Sequence, residues 1–322
     1  MNANDKQPGQ PWRVLTWHVH GNYLYALTQV PCEFIIPVRP GRAGYSPLGS
    51  KIPWGANVRE VAADRIHETP VDCVLYQSPE NLADAATLLS PQQQRLPCAF
   101  LEHNPPQQHP TDAVHPFRQA GGVLVHVTPY NAQMWDHSAE VTQRVIEHGI
   151  VPPTVRYQGE LARGIAVVNN IARRGRRMGA DLHLQMARQV PLDLIGMDSE
   201  RCGGLGEVPN MEVAAFVSHY RFFFSPVRYG SLGLALLEAM MCGVPVVGFG
   251  GTELPAVIHS GVDGYVDNRP ERLVEVCRQL IAEPELARQW GEAGRRLAMS
   301  RYHIDRFVDD WRALFDALME ER

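Results

Sequence analysis

The sequence predicts an α/β protein of two doubly wound domains facing a cleft. Three observations carry that expectation. Short apolar runs recur along the chain, each bounded by Pro, Gly or Asn, as buried strands are. Stretches of helical period separate them, and strands alternating with helices make parallel sheets covered on both faces. The pattern breaks once, at a Pro-rich segment near the middle, and 322 residues divide comfortably into two domains.

Residues 1–11 are polar, with Pro8, Gly9 and Pro11, and read as a disordered lead-in. The first apolar run, 13–20, breaks at Gly21 into a candidate helix over 22–29. Strand-like runs follow at 32–38, 58–62, 73–77, 98–102 and 123–128, with a weaker helical pattern at 80–89 and a Gly- and Pro-rich loop at 40–55. A short run at 144–150 leads to Pro152 and Pro153, inside a linker over 151–163. Beyond it the alternation sharpens, with strands at 164–168, 192–195, 222–225 and 244–249. The C-terminus is helical, with apolar stripes through Leu273, Cys277 and Leu280, through Trp290 and Leu297, and through Phe307, Trp311 and Phe315. Those stripes are expected to be core faces. Two Rossmann-like domains result, 12–152 and 153–300, with a last helix over 301–322 whose place is back on the first domain.

A formal charge of −5 supplies no basic field for nucleic acid, which composition therefore excludes as a partner. The six cysteines form no CxxC pair and several sit in apolar runs, where a free thiol behaves as a small hydrophobe. A reduced, cytoplasmic setting is expected. The N-terminus has no apolar signal core, and no apolar run approaches the ~20 residues that span a bilayer. Peripheral contact with a membrane surface stays compatible with this; insertion does not.

The chemistry concentrates in residues 225–267. A strand ending at Ser225 runs into the loop 226–231, and Ser231 is a candidate N-cap for a helix over 232–242. Gly243 ends that helix as a left-handed cap would. The strand 244–249 follows, then the loop Gly250-Gly251-Thr252-Glu253. Two loops and a helix N-terminus thus meet at the carboxyl end of a parallel sheet, where open α/β folds bind ligands and where free N–H groups favour phosphate. Glu238 is the only charged residue between Ser231 and Phe249. A carboxylate in such surroundings is costly unless it accepts hydrogen bonds, and ribose hydroxyls would supply them. The blander alternative is a solvent-facing helix glutamate.

The stretch SPVRYGSLGLALLEAMMCGVPVVGFGGTELPAVIHSGVDGYV resembles the donor-binding segment of the retaining, GT-B glycosyltransferases of family 4. The matching motifs are Ser225-Pro226, Gly233-Leu234, Leu237-Glu238-Ala239-Met240, Cys242-Gly243-Val244-Pro245-Val246-Val247 and the closing GVDGYV. The resemblance implies a metal-independent transferase that moves a sugar from a nucleotide diphosphate to a saccharide, lipid-linked or small-molecule acceptor with retention. It calls for no cofactor beyond that co-substrate, and no metal. It gives Glu238 the donor ribose, and it gives Tyr229, Gly230, Ser231, Leu234, Gly251, Thr252 and Glu253 the diphosphate and sugar. One departure is plain: the family's second glutamate, eight positions earlier, is here Gly230. That departure motivates an alternative, a catalytically weak relative that binds a nucleotide sugar or glycan. A dinucleotide oxidoreductase lacks support, because Gly21 begins no GxGxxG fingerprint.

Departing diphosphate needs a cation, and Arg173, Arg174, Arg176 and Arg177 stand in five positions after a strand. Forked donors so clustered suit diphosphate, although a solvated basic turn would look the same. Against the family, Arg173 takes the arginine position with Met178 in the lysine's place; a shifted register makes Arg174-Gly175 the counterpart. Both Arg173 and Arg174 are candidate catalytic residues. The loop 203–207 is either near the base or only a flexible turn. In the first half, His103 in LEHNPP is similar to the family histidine that faces the donor sugar, and Gly21 falls where the family has its acceptor-side glycine loop. Residues 147–149, in RVIEHGI, resemble the element before the family's linker. His18 and His20 share one face of the expected first strand, too few for a metal site.

Overall fold

The computed structural model describes residues 10–42 and 44–320. Of the expected lead-in over 1–11, residues 1–9 lie outside the described residues. The chain divides into two compact units, one of Met1–Gly149 with Ile304–Arg322 and one of Ile150–His303.

The first unit is a seven-stranded parallel sheet. Its elements are β1 (Arg13–Thr16), α1 (Gly21–Leu27), β2 (Glu33–Val38), β3 (Val58–Ala62), β4 (Cys73–Tyr76), α2 (Pro79–Leu88), β5 (Cys98–Glu102), β6 (Val123–His126), α3 (Pro129–Met134) and β7 (Thr142–Val145). The strand order is β3-β2-β1-β4-β5-β6-β7, so the winding reverses between β1 and β4. Leu15, Trp17, Ile35, Val74, Tyr76 and Phe100 are buried in one core with Phe117. Ser78 and Thr128 cap α2 and α3, each hydroxyl accepting from the N–H three residues on, with Pro at the first helical position.

β1 is shorter than the apolar run suggests. The chain turns after Thr16, with Val19 N–H donating to the Trp17 carbonyl. His18 and His20 therefore do not share a strand face. His18 instead meets the Pro47 carbonyl and the edge of Trp54, both in the long loop expected over 40–55.

The second unit contains β8 (Leu161–Val167), α4 (Ile171–Arg174), α5 (Ala180–Ala187), β9 (Leu192–Ile195), α6 (Val213–Ser218), β10 (Tyr220–Ser225), α7 (Leu234–Cys242), β11 (Val246–Phe249), β12 (Gly264–Asp267), α8 (Pro270–Ala282) and α9 (Pro284–Arg301). All strands are parallel, ordered β12-β11-β10-β8-β9, and here the reversal lies between β8 and β10. A Cβ at Gly164 would stand 2.2 Å from the Phe222 ring, so only glycine lets these two strands pair around that side chain. Arg221 is buried on β10, where its guanidinium donates to the carbonyls of Gly159, Leu280 and Ile281, the last two from the final turn of α8. A cation there satisfies orphan carbonyls and opposes the helix dipole.

Two boundaries differ from expectation. Leu232 is buried in the core, so the chain stays extended through Gly233 and α7 starts at Leu234; Gly233, not Ser231, is its N-cap. Pro245 cannot donate to a ladder, so β11 begins at Val246.

The last helix, α10 (Ile304–Glu320), belongs to the first unit. Its Phe307, Trp311 and Phe315 are fully buried. Trp311 Nε1 donates to the Tyr23 hydroxyl at 3.3 Å, and Trp12 Nε1 to Asp316 at 2.8 Å. Residues 147–149 receive this helix: Arg306 donates to the Glu147 carbonyl at 2.9 Å, and a Cβ at Gly149 would overlap Phe307 at 2.3 Å. Among the described residues, no helix is long and apolar enough to cross a membrane.

Candidate functional site

In the second unit the reversal between β8 and β10 separates the loops leaving those two strands at their carboxyl ends. This is the crevice where open parallel sheets take ligands. β8 leads into the basic turn and β10 into the segment that carries Tyr229, Gly230 and Ser231.

These two loops are tied together. The Arg177 carbonyl accepts from the backbone N–H groups of Arg228 (3.0 Å) and Tyr229 (3.1 Å). Gly179, with φ +80°, lies so close that a Cβ would stand 2.0 Å from the Pro226 carbonyl oxygen. Asp181 accepts from Arg176 at 2.6 Å and from Arg228 Nη2 at 3.0 Å. The Arg228 guanidinium thereby holds the Asp181 carboxyl below the usual carboxylate range. Arg228 went unmarked in the sequence because no motif includes it and its partner is 47 residues away.

Arg173 is exposed, whereas Arg174 is half-buried. Burial, and then the charges of Arg177 and Arg173, lower the Arg174 pKa. An anion arriving at this turn would relieve that repulsion. Met178 is buried, and its Sδ would be 3.7 Å from a Cβ on Gly230. Gly230 itself has φ outside the left-handed region and ordinary contacts for a Cβ, so the fold there does not demand glycine.

The third loop follows β11. A Cβ on Gly251 would stand 2.7 Å from the Arg228 carbonyl oxygen, which brings this loop onto the other two. Thr252 has φ +52°, strained for a β-branched side chain. Glu253 is buried with its carboxylate 3.6 Å from Arg301 of α9, so it faces the helix packing rather than the loop surface.

Glu238 lies on the second turn of α7, and Leu234 begins that helix, half-buried against the core. Burial pushes the Glu238 carboxyl up to about 7. Among the described residues its Oε2 is buried with no hydrogen-bond partner. An orphaned carboxylate oxygen is costly, and a hydroxyl-bearing ligand would satisfy it.

The first unit assembles a separate set at the reversal between β1 and β4. Gln77 donates to Thr16 Oγ1 at 2.7 Å and to the Trp17 carbonyl at 2.8 Å, and its Oε1 is 3.1 Å from His103 Nε2. His103 is buried edge-on to His20, with centroids 4.3 Å apart, and to Tyr23. Burial, and then His20 and His148, hold it well below the ordinary imidazole value, so it is neutral. Gly21 starts α1, where a Cβ would press on Ile52 and His18 at 3.2 and 3.3 Å.

Residues 199–297 match the family model described as glycosyl transferases group 1. The chain is 28% identical over 171 residues to alpha-maltose-1-phosphate synthase of Mycolicibacterium smegmatis, covering 47% of this chain and 44% of that one. It is 32% identical over 95 residues to N-acetyl-alpha-D-glucosaminyl L-malate synthase of Bacillus anthracis, covering 29% and 25%. It is 30% identical over 118 residues to a GDP-mannose-dependent alpha-(1-6)-phosphatidylinositol dimannoside mannosyltransferase of Mycobacterium tuberculosis, covering 37% and 27%. The chain thus spans less than half the length of these curated relatives. Among solved structures, it is similar to sucrose-phosphate synthase of Thermosynechococcus elongatus (TM-score 0.73, 15% identity, 97% of this chain and 100% of that one). It is also similar to Anabaena HepE in complex with UDP (TM-score 0.66, 12% identity, 96% and 100%). At such identities these structures establish the fold, which is GT-B.

Proposed function

Since residues 199–297 belong to the glycosyl transferases group 1 family and the chain has the GT-B fold, we propose that it transfers a sugar from a nucleotide diphosphate to an acceptor hydroxyl. The carrying observation is the buried, unpartnered oxygen of Glu238 on the helix that leaves the arginine-linked loops. In this reading ribose hydroxyls donate to Glu238, and Arg173 and Arg174 meet the leaving diphosphate. The loop of Tyr229, Gly230 and Ser231, with Gly251, Thr252 and Leu234, lines the phosphates and sugar. Glu253 supports that loop through Arg301. In the first unit, His103, kept neutral by burial, is the candidate for the donor sugar and Gly21 for the acceptor, as the family resemblance implies.

The bond from the sugar C1 to the diphosphate oxygen breaks, and a bond from C1 to the acceptor oxygen forms on the same face. The acceptor proton passes to the departing phosphate. Fixed guanidiniums supply the charge that a metal supplies elsewhere, which supports a metal-independent reaction. The acceptor is a saccharide, a lipid-linked hydroxyl or a small molecule; the relatives' names range over malate, maltose-1-phosphate and a phosphatidylinositol mannoside. None of the six cysteines is in a disulfide, which suits a reducing compartment.

Gly230 favours a second reading, a relative that binds the nucleotide sugar without turnover. A thermal-shift screen over UDP-, GDP- and ADP-sugars, with NAD(P) as control, tests the donor site, because ligand raises stability by mass action. One nucleotide sugar should stabilise the wild type and not Glu238→Ala. Stabilisation by NAD(P) alone would sink both readings, and donor binding without hydrolysis or transfer over a broad acceptor panel selects the second.

A further inference from the structure

Arg228 touches all three loops of the candidate site. Its guanidinium forks onto both carboxylate oxygens of Asp181, and Nη1 also donates to the Arg176 carbonyl at 2.8 Å. Its backbone N–H donates to the Arg177 carbonyl at 3.0 Å. The guanidinium carbon stands 5.7 Å over the ring of Phe249, the last residue of β11. The Arg228 carbonyl is the group against which Gly251 packs. One side chain and its peptide group therefore fix the basic turn, the segment before α7 and the glycine loop after β11.

Fork–fork pairing with a carboxylate fixes orientation as well as distance, which a lysine cannot reproduce. Asp181 also pairs with Arg176 at 2.6 Å, so one carboxylate links the basic turn to Arg228. Arg174, half-buried beside Arg177 and Arg173, lies on the turn that these contacts hold in place. We propose that Arg228, through Asp181, is a positioning residue: it holds the basic turn against the loop of Tyr229 so that Arg173 and Arg174 meet the diphosphate. The proposal rests on the nucleotide-sugar reading.

The test is calorimetric binding of UDP, GDP and ADP, and of the matching nucleosides, to the full chain. For the nucleoside diphosphate that the wild type takes, Arg228→Gln should weaken binding by about tenfold, while the nucleoside's Kd moves less than about twofold. Arg228→Lys, which keeps the charge and loses the fork, should fall between them. In turnover, kcat/KM for the donor should fall by at least as much as diphosphate affinity, since the arginines so positioned also meet the charge that develops on the leaving group. A purely structural role would weaken nucleoside and diphosphate alike. Should Arg228→Gln fail to fold, Arg228→Lys and Asp181→Asn decide the matter: wild-type diphosphate affinity in folded protein overturns the proposal. If wild type itself binds none of the three diphosphates, the nucleotide-sugar reading falls together with it. If wild type binds and the variants bind equally, only the positioning role falls.

Discussion

Glu238 concentrates the chemistry of one residue into a pH-dependence. Its carboxyl is raised from 4.5 to about 7 by burial, so the folded state disfavours the ionised form. The sign follows: its contribution is intact below pH 4.5 and is lost as pH rises through 7. The full loss is about 3 kcal/mol, since each tenfold change in proton affinity is worth roughly 1.4 kcal/mol. Glu238→Gln should therefore match wild type in denaturant unfolding at pH 4.5 and exceed it by up to that amount at pH 8. Equal stability of the two proteins at pH 8 would contradict the burial argument. Ribose hydroxyls donating to the carboxylate would pull its pKa back down, so nucleotide binding near pH 6 should release a proton. Calorimetry in two buffers of different ionisation heat reads that release, and Glu238→Gln should abolish it. Sequence alone marked Glu238, because one charge among apolar neighbours is visible without coordinates. It could not mark Arg228, whose meaning depends on Asp181 being brought to it by two strands and a turn.

At the scale of elements, the alternation of apolar runs and helical periods made most strands legible, because a doubly covered parallel strand is apolar on both faces. Errors fell at ends, where a tertiary demand outweighs local preference. Leu232 enters the core and delays α7, Pro245 delays β11, and the turn at Trp17 shortens β1. β12 follows the GVDG turn and pairs with β11, but Tyr265 and Val266 are its only large apolar residues, between Gly264 and Asp267, so the sequence shows the turn and not the strand. Two glycines in the same left-handed conformation separate backbone freedom from close approach. Gly203 (φ +75°) has open space, and Gly179 (φ +80°) presses on Pro226. Gly203→Ala should cost about 1–2 kcal/mol, the intrinsic penalty of that conformation. Gly179→Ala should cost visibly more, since 2.0 Å to a backbone oxygen cannot be relieved by a side-chain rotation. Melting temperatures of the two variants compare them directly, and similar shifts would mean that the two loops are free to part.

The whole molecule is two sheets with a discontinuous first unit. α10 supplies three fully buried aromatics to that unit, Phe307, Trp311 and Phe315. Removing residues 304–322 strips them and frees the groups that Arg306 and Trp311 satisfy, at a cost of several kcal/mol for the large cavity left behind. Limited proteolysis of the chain ended at His303 should cut first within 1–149 while 150–303 stays resistant. Uniform resistance would show that the first unit stands without its helix. That unit needs residues from both ends of the chain, which bears on the order of events during synthesis. Residues 150–303 form a compact unit that is continuous in sequence, so this later-coded half is equipped to fold while the ribosome is still at work. The earlier-coded half must wait, its Tyr23 and Trp12 uncovered, until α10 has been made. Synthesis of α10, rather than emergence of β1 to β7, therefore starts the clock for the last packing step of the first unit.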